Sequence, residues 1–157
     1  MYKPDYEPLL SAGRHEMSSL EFEKRFVTGL GGDARKIIWR KFKEQIFWPV
    51  LRLNIPCEFW IDGSFITKCP DPSDLDGSLM ILSSVVEALD DEAMDYLDKF
   101  DDGNPQFDPV LDMFVCQVYP KGHSQRGGDN DPDGWAKQWS FERNSHWLKG
   151  FVVVPVR

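Results

Sequence analysis

A helical spacing of apolar residues dominates the first third of the chain. The first helix is predicted over 18–29, where Ser18 and Glu21 have the spacing of a capping box. After a glycine pair, Asp33 is the expected N-cap of a second helix that runs to about residue 51. The apolar side chains expected to face the core from these helices are Leu20, Phe22, Phe26, Ile37, Ile38, Phe42, Ile46, Phe47, Val50 and Leu51.

Alternating and continuous apolar runs follow, and they predict strands. The four predicted strands cover 57–62, 74–82, 109–119 and 151–156. A third helix is expected from Ser83 or Ser84 to about Phe100, and residues 63–73 are expected to form a loop with one helical turn. The run over 109–119 is the most apolar and is therefore expected to be a central strand.

This order of elements predicts an α+β fold, with a mixed β-sheet of four to five strands and helices packed on it. We expect one domain over 1–157, with an extended segment at 1–16 and a mobile, Gly- and Asp-rich loop at 121–134. The 157 residues, 41% of them hydrophobic and 13% aromatic, suffice for one core and are untypical of a disordered chain.

The net charge of −8 disfavours broad binding to a phosphate backbone, so nucleic acid is the less expected partner. A basic run in the second helix is interpreted as its solvated face; it comprises Arg35, Lys36, Arg40, Lys41 and Lys43. Three cysteines without metal-ligand spacing predict neither a disulfide framework nor a zinc site, and Cys57 and Cys116 are expected to be buried. Without a bilayer-length apolar run or a signal-peptide pattern, a cytoplasmic protein with no membrane association is expected.

The chemistry is concentrated around Asp74 and Asp76. If this segment is a strand, the two carboxylates share one face about 6–7 Å apart. Carboxylate oxygens are ligands that Mg²⁺ prefers, together with substrate phosphates. The alternative is an acidic strand start with no ligand.

Gly63 and Ser64 close the preceding strand nine residues before this pair. Glycine allows the backbone to approach a ligand closely, and free amides at such a bend can bind phosphate oxygens. Three cations, Lys68, Arg143 and Lys149, are candidate triphosphate contacts. An ordinary turn with surface cations is the alternative.

Asp112 lies inside the apolar run at 109–119, where burying an unpaired carboxylate would cost several kcal/mol. Sharing a metal with Asp74 and Asp76 would compensate it. The alternative is an edge strand on which Asp112 faces water. Separately, we interpret a group of aromatic residues as core rather than as a base-stacking platform: Trp135, Trp139, Phe141 and Trp147.

The pattern of Gly-Ser, nine residues, Asp-x-Asp and a later strand Asp resembles the polymerase-beta-like nucleotidyltransferase superfamily. The chain is most similar to a group of small, uncharacterised bacterial proteins within it, through the segments 13–16, 62–65, 72–77 and 149–152 together with Phe26 and Arg35. The resemblance implies that Asp74, Asp76 and Asp112 bind Mg²⁺ or Mn²⁺, and that Gly63 and Ser64 bind phosphate. One departure is Gly77-Ser78, which stands where the superfamily continues with apolar residues.

The resulting hypothesis is a metal-dependent nucleotidyltransferase that moves a nucleoside monophosphate from an NTP to a hydroxyl of a protein, an RNA end or a small molecule. By analogy with the family, it would work beside a protein partner, as in toxin–antitoxin or phage-defence pairs. Two alternatives stay open. One is a non-catalytic interaction protein, such as an antitoxin or regulator, that keeps the fold; the other is an NTP-binding sensor.

Overall fold

The computed structural model describes residues 5–100, 105–128, 131–139 and 149–157, and these form an α+β fold around a five-stranded mixed sheet. The predicted fold class is confirmed. In chain order the strands are β1 (Gly13–Glu16), β2 (Cys57–Asp62), β3 (Leu75–Leu82), β4 (Leu111–Val118) and β5 (Gly150–Val156).

The sheet order is β1-β5-β2-β3-β4. The two outer pairs, β1 with β5 and β3 with β4, are parallel, whereas β2 is antiparallel to both β5 and β3. Within the described residues β4 is therefore an edge strand, and the expectation that it is central was wrong. Its apolar character arises because side chains on both of its faces meet clusters of other apolar residues.

The helices are α1 (Ser19–Phe22), α2 (Asp33–Phe42), α3 (Trp48–Arg52), α4 (Ser83–Val86), α5 (Asp91–Leu97) and α6 (Pro132–Gln138). Two π-helical segments, Glu23–Thr28 and Lys43–Phe47, continue α1 and join α2 to α3, and 3-10 turns cover Ser64–Ile66 and Asp98–Phe100. Of these described helices, none has both the length and the apolar character needed to cross a lipid bilayer.

The start of α1 follows the sequence prediction, since the side chain of Ser18 accepts from the amide of Glu21 and the side chain of Glu21 accepts from Ser18. Phe22 and Phe26 are buried as expected, but Leu20 is 60% exposed. Leu20 precedes Phe22 by two positions, which turns it to the opposite side of a helix. Its predicted burial was wrong.

The helical stretch from residue 33 to 52 carries a narrower buried stripe than predicted. Ile37 and Leu51 are largely exposed, because each neighbours a residue that faces the core, namely Ile38 and Val50. The expected N-cap role of Asp33 was also wrong, because Gly32 is the cap and Asp33 is the first helical residue.

Pro49 lies inside this stretch without breaking it. Proline cannot donate to the carbonyl four residues earlier, which belongs to Gln45. The hydroxyl of Tyr96 donates to that carbonyl at 2.8 Å instead. The lost backbone bond is thus replaced by a side chain from α5.

The predicted helix over 83–100 is divided in two. The first turn ends near Leu89, and Asp90 caps α5 by accepting from the amide of Ala93 at 2.9 Å. An aspartate with a favourable N-cap geometry starts a new helix more readily than it continues an old one.

The two faces of the sheet pack against different groups of apolar residues. One face packs against the helices in the main core, which includes Phe22, Trp39, Phe42, Phe59 and Val154. The other face carries a smaller cluster around Trp60, Trp139 and Phe151. Asp76 and Asp112 of the predicted site lie on this second face.

Candidate active site

Three carboxylates form one row across the second face of the sheet. Asp62 of β2 is in register with Asp76 of β3, and Asp76 is in register with Asp112 of β4. Residues in register on neighbouring strands point to the same face and lie about 5 Å apart. Asp74 lies immediately before β3 and lines the same cavity as Asp76. The structure therefore brings Asp112 beside Asp76.

A cavity of about 700 Å³ opens next to this row. Five residues that the sequence indicated as site candidates, Gly63, Ser64, Asp74, Asp76 and Lys149, line it. The rest of its described lining is Asp5, Tyr6, Asp62, Thr67, Cys69, Asp71, Ser73, Gly77, Phe114, Trp135, Gln138 and Trp139. Its volume falls within the usual range for small-molecule sites.

Gly63 is packed directly against the carboxylate of Asp76. A Cβ atom on Gly63 would lie 1.9 Å from Oδ2 of Asp76, so only a residue without a side chain fits there. Its φ of 78° and ψ of −167° also fall in a region that glycine alone adopts readily. The sequence predicted that a ligand approaches Gly63 closely; in the structure, the first atom that a Cβ on Gly63 would meet is Oδ2 of Asp76.

Ser64 opens a single 3-10 turn immediately after this glycine. The amide of Thr67 donates to the carbonyl of Ser64 at 3.2 Å, and the hydroxyl of Thr67 donates to the same oxygen at 2.8 Å. The turn therefore has a fixed shape beside Asp76.

Arg35 fixes the rest of this loop from inside the protein. Its guanidinium donates to the carbonyls of Phe65, Thr67 (3.2 Å) and Cys69 (2.6 Å), and to that of Phe26 (3.1 Å). The side chain is 1% exposed, so its interpretation as part of a solvated helix face was wrong. Five donors in a rigid planar fork suit a cluster of backbone carbonyls, which helical periodicity cannot reveal.

Asp62 and Lys149 form a buried ion pair in the cavity wall. Lys149 Nζ lies 2.8 Å from Oδ1 and 3.0 Å from Oδ2 of Asp62, and both side chains are less than a tenth exposed. Burial raises the pKa of Asp62 above its ordinary value, whereas Lys149 and the amide of Gly63 oppose that rise. Lys149 was a candidate from the sequence. Asp62 was missed as a site residue, although it directly precedes Gly63.

Two predicted site residues lie outside the cavity lining. Lys68 is exposed, and its Nζ pairs with Glu7 at 2.6 Å. Asp112 is exposed on the edge strand, as in the alternative considered for it. Arg143, Phe141 and Trp147 fall outside the described residues, as do 129 and 130 of the loop predicted to be mobile.

The donor set on this face suits a hard divalent cation in part. Among the described residues, no three His, Cys, Asp or Glu side chains form a complete metal-ligand set. Magnesium commonly takes only one or two protein carboxylates and fills its other positions with water and substrate phosphates. Asp74 and Asp76 in one cavity wall, with the Gly63 bend against Asp76, fit that type of site.

One family model matches almost the whole chain. The model of a family of unknown function, DUF6932, matches residues 3–155, so the chain belongs to that family. No curated protein and no solved structure matches the chain significantly.

Proposed function

We propose that this member of the DUF6932 family is a metal-dependent nucleotidyltransferase, which moves a nucleoside monophosphate from an NTP to a hydroxyl group. One observation carries the proposal. Asp74 and Asp76, the Gly63-Ser64 bend and the buried cation Lys149 all line one cavity of about 700 Å³. Phosphoryl chemistry requires carboxylates that bind a cation, and it requires amides and an ammonium group that bind phosphates.

The cavity residues would divide the binding of the triphosphate between them. Asp74 and Asp76 would hold Mg²⁺ or Mn²⁺, which when bound supplies positive charge to the attacking and leaving oxygens. Ser64, at the bend that Gly63 forms, would donate to phosphate oxygens. Lys149 would neutralise further negative charge while its contact with Asp62 keeps it in place.

The transfer itself needs an acceptor and a base. The acceptor oxygen forms a bond to the α-phosphorus, the bond from that phosphorus to the bridging oxygen breaks, and pyrophosphate leaves. Asp112 lies one strand beyond Asp76, exposed at the edge of the described sheet. From there its carboxylate would orient an incoming hydroxyl and accept its proton.

The acidic chain makes a protein or a small molecule a better acceptor than an RNA end, because its net charge of −8 repels a phosphate backbone. We further propose a protein partner for the chain in the cytoplasm, where nucleoside triphosphates are abundant, as in toxin–antitoxin or phage-defence pairs.

The first experiment measures nucleotide binding. Isothermal calorimetry with ATP, GTP, CTP and UTP, with magnesium and with EDTA, should show magnesium-dependent binding by the wild type. Asp74→Ala and Asp76→Ala should weaken it at least about tenfold, because removing metal-associated groups commonly costs that much. Asp95→Ala, on the exposed side of α5, is the matched control and should bind as the wild type does.

The second experiment measures transfer. Labelled triphosphates incubated with the protein and a cell lysate should yield labelled protein or small molecules, and the two aspartate variants should yield none. A biological effect that survives both substitutions would instead favour the non-catalytic interaction protein.

Binding without transfer is a second candidate function, and the position of Asp112 favours it. This carboxylate is exposed and outside the cavity lining, so the described residues hold a nucleotide site more completely than a catalytic one. Magnesium-dependent binding without labelled product in any lysate would identify the protein as an NTP sensor.

A further inference from the structure

The cavity has an aromatic wall that its phosphate-directed residues do not explain. Phe114 and Trp135 line it, and both are partly exposed. Their rings lie 6.3 Å apart between centroids, with planes inclined by 25°. Both rings line the same cavity as Asp74 and Asp76.

Trp135 contacts a more deeply buried tryptophan. Trp139, which is 8% exposed, lies 5.3 Å from Trp135 and 6.4 Å from Trp60 between ring centroids. Trp135 therefore packs against the core cluster on this face of the sheet. A supported ring loses little conformational freedom when a ligand stacks on it.

The start of α6 is also attached to the end of β4. Arg126 donates to the carbonyl of Tyr119 at 2.6 Å and contacts Asp133 at 3.3 Å and Asp131 at 3.8 Å. Asp131 in turn accepts from the amide of Asp133 at the first turn of the helix. These bonds fix the helix that carries Trp135 relative to the strand that carries Phe114.

The wall stands close to the acidic row. Phe114 follows Asp112 by two residues on β4, which is one strand repeat, or roughly 7 Å. The described lining of the cavity therefore combines charged residues with aromatic ones. A nucleoside triphosphate likewise combines a polyanion with a planar base.

We propose that Trp135, with Phe114 beside it, stacks on the nucleobase of the bound nucleotide. This rests on the proposed function, which puts the triphosphate at Asp74 and Asp76, and it revises the interpretation of Trp135 as core. Stacking uses the face that every base has, so the site binds the four nucleotides with similar affinity. Gln138, which is exposed and lines the cavity, would contact the edge of the base with one side-chain amide.

The test compares ligands that contain a base, a polyphosphate or both. Calorimetry with magnesium would measure ATP, GTP, CTP, UTP, inorganic tripolyphosphate and adenosine against the wild type and three variants. Trp135→Ala removes the ring, Trp135→Phe retains an aromatic face, and Trp48→Ala is a control at an exposed tryptophan on α3, outside the cavity lining. Thermal melting of each variant shows whether it is folded.

The expected result is selective. Trp135→Ala weakens all four nucleotides by about 5- to 150-fold, the range for the loss of one stacked base, and leaves tripolyphosphate unchanged. Trp135→Phe and Trp48→Ala stay close to the wild type. In the wild type, the nucleotides quench tryptophan fluorescence, and Trp135→Phe loses most of that quenching while keeping its affinity.

The contrary results are distinct. Stacking would be overturned if the nucleotides bind no better than tripolyphosphate. It would also be overturned if a folded Trp135→Ala loses affinity for both ligand types equally or for neither, or if the wild type prefers one nucleotide by more than about a hundredfold. Tripolyphosphate binding would then still support the proposed function. Adenosine binding that depends on Trp135, without any triphosphate binding, would overturn the proposed function and leave the stacking site standing.

Discussion

The Cα atom of Gly63 and the carboxylate of Asp76 are so close that a methyl group on Gly63 would overlap Oδ2 of Asp76. The bend that ends β2 therefore fixes one carboxylate of β3, although thirteen residues separate the two along the chain. Any side chain at Gly63 must displace either the bend or the carboxylate.

Gly63→Ala should thus impair the site more than the fold. Strain at a glycine-only backbone conformation costs of the order of 1–3 kcal/mol, and the displaced Asp76 should lose magnesium-dependent nucleotide binding. Urea unfolding and calorimetry would measure the two effects. The matched control is Gly127→Ala, where an added methyl group meets nothing within 4 Å; equal losses in both variants would contradict this account.

The buried pair of Asp62 and Lys149 should show strong coupling in a double-mutant cycle. Lys149→Met leaves a buried carboxylate without its cation and should lower the free energy of unfolding by about 3–5 kcal/mol. Adding Asp62→Asn should recover much of that loss, because no buried charge of the pair remains. Additive losses in the double variant would show that the two side chains do not act as a pair.

Asp62 should also make stability depend on pH in a definite direction. Because burial raises its folded-state pKa, its contribution to stability is complete below its unfolded pKa, near 4, and is lost as the pH rises through the folded value. Lys149→Met removes the larger of the two influences that oppose the rise in the pKa of Asp62, so the loss of stability should extend to higher pH. The measurement is the free energy of unfolding of Lys149→Met minus that of the double variant, between pH 4 and 8. This difference should fall as the pH rises, and a difference that grows with pH would contradict the prediction.

Arg35 should be far less tolerant of lysine than an exposed arginine. An ammonium group cannot reach four separate carbonyls, so Arg35→Lys should lower the free energy of unfolding by roughly 2–4 kcal/mol. The loop between Ser64 and Cys69 should become more susceptible to proteolysis. Arg40→Lys, on the exposed face of the same helix, serves as the control and should change stability by less than about 0.5 kcal/mol.

Asp112→Asn should separate binding from transfer. If the carboxylate only orients and deprotonates the acceptor, nucleotide affinity should stay within about threefold while the transfer rate falls by about a hundredfold or more. Calorimetry and single-turnover labelling would measure the two quantities. A loss of affinity as large as that of Asp74→Ala would instead make Asp112 a metal ligand, as the family resemblance implies.

Local patterns in the sequence determined much of the fold. Period-two alternation placed β2, and the Ser18–Glu21 spacing placed the start of α1, because each depends on neighbours within a few residues. The spacing of Gly-Ser and Asp-x-Asp indicated Gly63, Ser64, Asp74 and Asp76 as candidate site residues. Strand β1 was missed, since Gly13–Glu16 has no apolar alternation and pairs with β5, which is distant along the chain.

Tertiary structure decided what depends on distant parts of the chain. The sequence could not show that Asp62 meets Lys149, that Arg35 is buried among loop carbonyls, or that β4 is an edge strand of the described sheet, because each follows from strand order and helix docking. Strand register is set by the packing of whole faces, and it alone aligned Asp62, Asp76 and Asp112. The sequence by itself thus indicated Asp74, Asp76 and Asp112 as candidates, whereas the sheet added Asp62 and decided which of these residues stand together.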